Sequence, residues 1–163
     1  MLMRDDRFKG ERGVAAVEFA IVGSLLFLIL FGIVQFGIAL NRSQGLQAAA
    51  REGARLGALP GTTVATIGDR VRESVSIVSG ASLSPTCPAN PSSMALDEGC
   101  IRLQRRSPGG SLTPVNGSAT KPCDEQSGAT IVVSVFYRSQ IAVPLWKSQN
   151  LTLSGEGEFA CEA

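Results

Sequence analysis

Glu18 is the only acidic side chain between Val14 and Leu40, and it stands five positions after Gly13. The run around it, "VAAVEFAIVGSLLFLILFGIVQFGIAL", is otherwise interrupted by polar types only at Ser24 and Gln35. An ionisable group at mid-bilayer depth costs roughly 2.5–3.5 kcal/mol on insertion scales, and residues kept there ordinarily mark function. Taken alone, Glu18 has two readings. Its carboxylate pairs with a cation inside the apolar layer, or it lies shallow at the interface with its charge hydrated.

The second group able to do chemistry is Cys87, Cys100, Cys123 and Cys161, all placed after the apolar run. No two have the close C-x-x-C spacing of a structural zinc site, so disulfides are preferred to metal. Four cysteines allow three connectivities; Cys87–Cys100 is expected because it closes a short loop, and Cys123–Cys161 because it ties an irregular region to the last strand. Ser118-Ala-Thr-Lys121 matches the Ser-x-x-Lys pattern of some penicillin-binding enzymes. That chemistry needs serine at a helix start with lysine one turn on, whereas Gly117 and Pro122 bracket this segment in a loop, and the companion motifs are missing. Asn116-Gly-Ser and Asn150-Leu-Thr fit the short glycosylation sequon.

Histidine is absent from all 163 residues, which removes the commonest general base and zinc nitrogen ligand. There is no phosphate loop and no dinucleotide fingerprint. The net charge of +1 gives no bulk electrostatic case for nucleic acid. Neither an enzyme nor a cofactor-binding protein is expected.

The elements that carry these residues follow from periodicity. Val14–Leu40 exceeds the roughly 20 apolar residues that a membrane span requires. It is also longer than a signal-peptide core, and the only tempting small-residue triplet, Ala48–Ala50, lies past Asn41 and Arg42. Arg4, Arg7, Lys9 and Arg12 precede the span, and the cysteines follow it. An inside N-terminus and an oxidising exterior for the rest are therefore expected. Helical periodicity continues to about Leu59: Gln47, Arg51 and Arg55 form a polar stripe opposite Leu46, Ala49, Ala50, Gly53, Leu56 and Gly57, and Pro60-Gly61 ends it.

A second amphipathic helix places Val64, Ile67, Val71, Val75 and Val78 on one side, with Thr62 or Thr63 as its cap. Residues 80–128 are rich in Pro, Ser, Gly and Asn, with a short strand at 101–105. Residues 129–137 read as a buried strand. In 151–162, Leu151, Leu153, Gly155, Gly157, Phe159 and Cys161 alternate with polar residues as a half-buried antiparallel strand. The expected fold is α+β: a long N-terminal helix, a second helix, and a small antiparallel sheet with disulfide-stapled loops.

A charged leader ending at Gly13, glutamate five residues later, Phe19 beside it and a long protruding helix resemble a type IV prepilin. More narrowly, "RGVAAVEFAIVGSLLFLILFGIVQFG" followed by "LQAAAREGAR" is similar to the TadE-like pseudopilins of the tight-adherence (Tad) pilus system, over residues 12–57. The resemblance implies a leader at 1–13 removed by prepilin peptidase between Gly13 and Val14, a transmembrane helix at 14–40, a protruding extension at 41–60 and an exterior α+β domain at 61–163. It implies an inner-membrane protein with a periplasmic C-terminal domain, extracellular once in a fibre. Its partners are then other pilins and pseudopilins, the assembly platform and membrane lipid.

Glu18 and Phe19 belong to the processing and assembly motif of such proteins. Ala16, Ala20 and Ser24 recur every four residues as a face for close helix packing. The rival function is a permanently anchored single-pass protein whose disulfide-bonded periplasmic domain binds a ligand or partner.

Overall fold

The computed structural model describes residues 7–79, 82–118, 120–123, 128–141 and 148–162; residues 1–6 of the expected leader lie outside them. Helix α1 spans Arg7–Gly57 without a break, about 75 Å at 1.5 Å per residue. It begins inside the leader because nothing between Arg7 and Val14 stops a helix: there is no proline, and single glycines cost only about 1 kcal/mol each. It ends at Pro60 and at Gly61, whose φ of 80° suits glycine.

Helix α2, Val64–Ser79, starts where Thr63 Oγ1 accepts the Thr66 N–H at 3.3 Å. Ile67, Val71 and Val75 are buried as the periodicity predicts; Val78 lies outside the described side chains.

Five strands form one sheet: β1 (Ser82–Ser84), β2 (Glu98–Arg106), β3 (Leu112–Pro114), β4 (Thr130–Ile141) and β5 (Gln149–Ala160). The order is β1-β2-β4-β5, with β3 also on β2. The sheet is mixed rather than wholly antiparallel, because β1 pairs with residues 98–100 of β2 in parallel. Strands β1 and β3, three residues each, fall in the segment read as loop. Their pairing comes from tertiary contact: Leu83 packs where Gly99 has no side chain, and its own side chain is buried.

Strand β4 is central and buried on both faces, which explains its run of β-branched residues. On the face away from the helices, Arg106 reaches across it to Glu158 at 2.6 Å, and the Arg102 guanidinium lies 5.1 Å over the Phe136 ring.

The two helices cover the other face. The Gly53 position lies against Val71, and Gly57 against Ile67. Helix α1 lies directly on β5. A Cβ at Gly157 would stand 2.5 Å from the Ala50 carbonyl oxygen, and one at Gly155 would collide with the Leu46 carbonyl. Leu46, Ala49, Ala50, Ala54 and Ala58 are buried there, so the narrow face of small residues on the helix meets a strand without side chains. Toward the ends of β5, Leu151 and Phe159 are 39% and 41% exposed, although alternation places both on the helix side.

Cys87 is bonded to Cys100 and Cys123 to Cys161, with sequence separations of 13 and 38. Loop-closure entropy gives about 3 kcal/mol for the first and about 4 kcal/mol for the second. Removing the pair Cys123 and Cys161 by serine substitution is therefore expected to lower the melting temperature more than removing Cys87 and Cys100. Thermal melts of the full chain in detergent check the ranking, and a reversed order would show that local strain outweighs chain entropy.

Candidate functional site along the first helix

The first half of α1 is bare. From Val14 to Leu40 its apolar side chains point outward all round, Phe19 at 79% exposure, and the helix is long and apolar enough to cross a membrane. Gly13, Val14, Val17, Glu18 and Ile21 line one shallow groove, as spacings of one, four, five and eight along a helix require. Val14 and Glu18 are thus one turn apart on the same face. Among the described residues Glu18 has no ion-pair or hydrogen-bond partner. Ala16, Ala20 and Ser24 are exposed. The Ser24 hydroxyl donates to the Ile21 carbonyl at 2.9 Å, which satisfies it without water.

Six glycines of α1 divide into two kinds. At Gly53 and Gly57 an added Cβ meets the core, whereas at Gly13, Gly23, Gly32 and Gly37 it meets nothing within 4 Å. The fold of the single chain has no use for glycine at position 13.

Where α1 enters the sheet domain, Arg42 Nη1 donates to the buried Ser139 hydroxyl at 2.7 Å, and its guanidinium lies 5.8 Å from the Tyr137 ring. Tyr137 donates to Asp97 Oδ1 at 3.0 Å. Burial, then the Asp97 hydrogen bond, push the phenol pKa up, with Arg42 opposing, so the ring remains a neutral donor. Asp97 has φ 61°, in the left-handed region; aspartate tolerates it, and its N–H is held by the Arg138 carbonyl at 2.8 Å. Higher on the helix, Glu52 bonds Arg55 at 3.1 Å and Arg70 of α2 at 3.3 Å. The Arg55 hydrogen bond is the main cause of its lowered pKa.

Residues 13–55 match the family model of TadE-like protein.

The match begins at Gly13 and ends at Arg55, so it takes in the groove, the bare apolar segment and the buried small-residue face, and stops before α2 and the sheet. No curated protein and no solved structure matches the chain. The TadE-like segment is thus both the chain's exposed element and the one on which its core is built.

The remaining candidates lie in the sheet domain. The Ser118–Lys121 segment serves α2: the carbonyls of Thr120 and Ser118 accept the N–H groups of Val64 and Ala65 at 2.9 and 3.0 Å, while Ala119 lies outside the described residues. Two adjoining clefts, about 570 and 470 Å³, open beside it and share Pro85, Thr86, Ile101, Leu103, Val115 and Asn116. The charges at the rim, Asp69 and Arg72, are closed on each other at 2.5 Å. Among the described residues no group of three metal-ligating side chains occurs.

Sequence reading missed the Arg42–Tyr137–Asp97 cluster, whose members are far apart in the chain. It also missed the slot made by Gly155 and Gly157, whose only signal was two glycines on the inward register of a strand.

Proposed function

We propose that the chain is a minor, pilin-like subunit (pseudopilin) of a Tad-type adhesive pilus. A prepilin peptidase cleaves it after Gly13, and α1 holds it in the bacterial inner membrane with the exterior domain in the periplasm. The observation that carries this is Gly13 itself: a glycine inside a helix, costing about 1 kcal/mol relative to alanine, with open space around it and at the first residue of the TadE-like match. Gly23, Gly32 and Gly37 share that open space; what sets Gly13 apart is that it opens the match and lies in one groove with Val14 and Glu18, and a peptidase active site admitting a scissile backbone calls for a small residue there.

Hydrolysis of the Gly13–Val14 bond consumes one water and leaves a carboxylate on Gly13 and an amine on Val14. The new ammonium lies one turn from Glu18, and in an apolar layer the two compensate each other's desolvation, within one subunit or between neighbours. Ala16, Ala20 and Ser24 supply a face on which the helix of another subunit can approach closely.

Gly13→Leu is expected to accumulate as uncleaved precursor, while the native chain loses residues 1–13. Immunoblotting and the mass of the mature N-terminus measure both. Normal maturation of Gly13→Leu overturns the proposal, and an intact native chain points instead to a permanently anchored single-pass protein with a binding domain.

A further inference from the structure

We propose that the lower end of the sheet domain is itself a lipid-contacting surface, seated on the headgroup layer of the membrane that α1 crosses; this rests on α1 being a span. The levels of helix and strand are fixed against each other. Gly155 lies on Leu46 and Gly157 on Ala50, so two strand residues, about 6.6 Å, run beside four helix residues, about 6 Å. Helix and strand point the same way, since Glu162 beyond β5 bonds the carbonyl of Ala58. Continued downward, this register brings Leu151 level with the helix at about Ile38 to Leu40.

The apolar run Val14–Leu40 is about 40 Å long against a hydrocarbon layer of about 30 Å, so its last turn stands among the headgroups. The start of β5, paired with the end of β4 at Ile141, therefore descends to the depth at which the hydrocarbon ends.

The side chains at that level suit an interface. Leu151 is 39% exposed and Leu96 is 41% exposed. They come from β5 and from the loop before β2, and with Ile38 and Leu40 of α1, also exposed, they place apolar groups from three elements at one height. Leu96 is held there through its neighbour Asp97, bonded to Arg138 and Tyr137. Arg42 and Arg138 are at the same height, each bonded within the chain, beside the exposed acids Asp97 and Glu98, so the rim carries both signs and can meet both the phosphate and the ammonium of a zwitterionic headgroup. Apolar tips beside charges of both signs are the composition of a surface half in lipid and half in water.

The test uses the full chain in phosphatidylcholine vesicles whose acyl chains carry bromine near the glycerol or near the terminal methyl. Trp146 is the chain's only tryptophan. In a Trp146→Phe background, single reporters are placed by Leu151→Trp, Leu96→Trp, Phe27→Trp and Phe159→Trp. The Leu151 and Leu96 reporters are expected to emit to the blue and to lose emission to shallow bromine far more than to deep bromine. The Phe27 reporter should be quenched by deep bromine, and the Phe159 reporter by neither. Deep quenching at Phe27 with none at Leu151 and Leu96 overturns the lipid contact while leaving the span intact. Blue emission at these two sites without bromine quenching does the same, since protein would then cover them. No quenching at Phe27 overturns the span and this inference with it.

Discussion

Gly157→Val is expected to unfold the sheet domain or to lower its melting temperature by about 10 °C or more. The branch point of the new side chain falls 2.5 Å from a helix carbonyl, and a helix backbone cannot swing aside as a flexible side chain can. Overpacking of a core costs typically about 1–3 kcal/mol and more where backbone must move. At this size each kcal/mol is worth roughly 2–8 °C. Gly155→Val should behave alike, for the same reason. The contrast is Gly68→Ala in the interior of α2, where the added methyl meets only the end of Arg72 at 3.6 Å; helix propensity predicts stabilisation of up to about 1 kcal/mol. Thermal melts of the full chain in detergent measure all three. A Gly157→Val chain melting with the native one would mean that α1 does not rest on β5.

Glu18→Ala is expected to separate cleavage from assembly. Alanine is the better helix former and makes the span more apolar, so insertion is unharmed. On the proposed function the peptidase reads chiefly the bond at Gly13, so processing is expected to survive. The counter-charge proposed for the Val14 amine is lost, and pilus assembly is expected to be lost with it. Glu18→Asp keeps the charge with a shorter reach and restores assembly in part. Complementation of a deletion strain, scored for surface pili beside an immunoblot for cleavage, gives the answer. Full piliation by Glu18→Ala at normal protein level would leave this carboxylate as a shallow interfacial group.

Helix α2 and strand β5 were legible because each carries a sustained period: Ile67, Val71 and Val75 along α2, and Leu153, Gly155 and Gly157 along β5, fall on the buried side; α1 was legible from its long apolar run and β4 from its unbroken β-branched run. Strands β1 and β3 were not legible, since three residues carry no period and their surroundings are prolines, serines and glycines. The parallel pairing of β1 rests on a contact between Leu83 and Gly99, sixteen positions apart. For the candidate site, spacing alone put Val14 beside Glu18 and aligned Ala16, Ala20 and Ser24, because a helix turns spacing directly into direction; the choice of Gly13 and Val14 came from the resemblance to prepilins. The cluster that fixes α1 to the domain could not be read from spacing: Arg42, Asp97, Tyr137 and Ser139 meet only after the sheet has formed.

The seat of α1 on β5 also sets the order in which the molecule can be completed. Leu46 and Gly155 touch although they are about 110 residues apart, a separation that slows closure because loop entropy is spent before the contact is gained. Synthesis delivers Leu46 well before Gly155, so the part of the small-residue face of α1 around Leu46 and Ala50 stays open until β5 arrives. A chain that stops short of β5 never closes that face, and β4 is left with an unpaired edge, a template for aggregation. The dozen residues of β5 thus decide whether that surface is hidden: only a chain that includes them covers it.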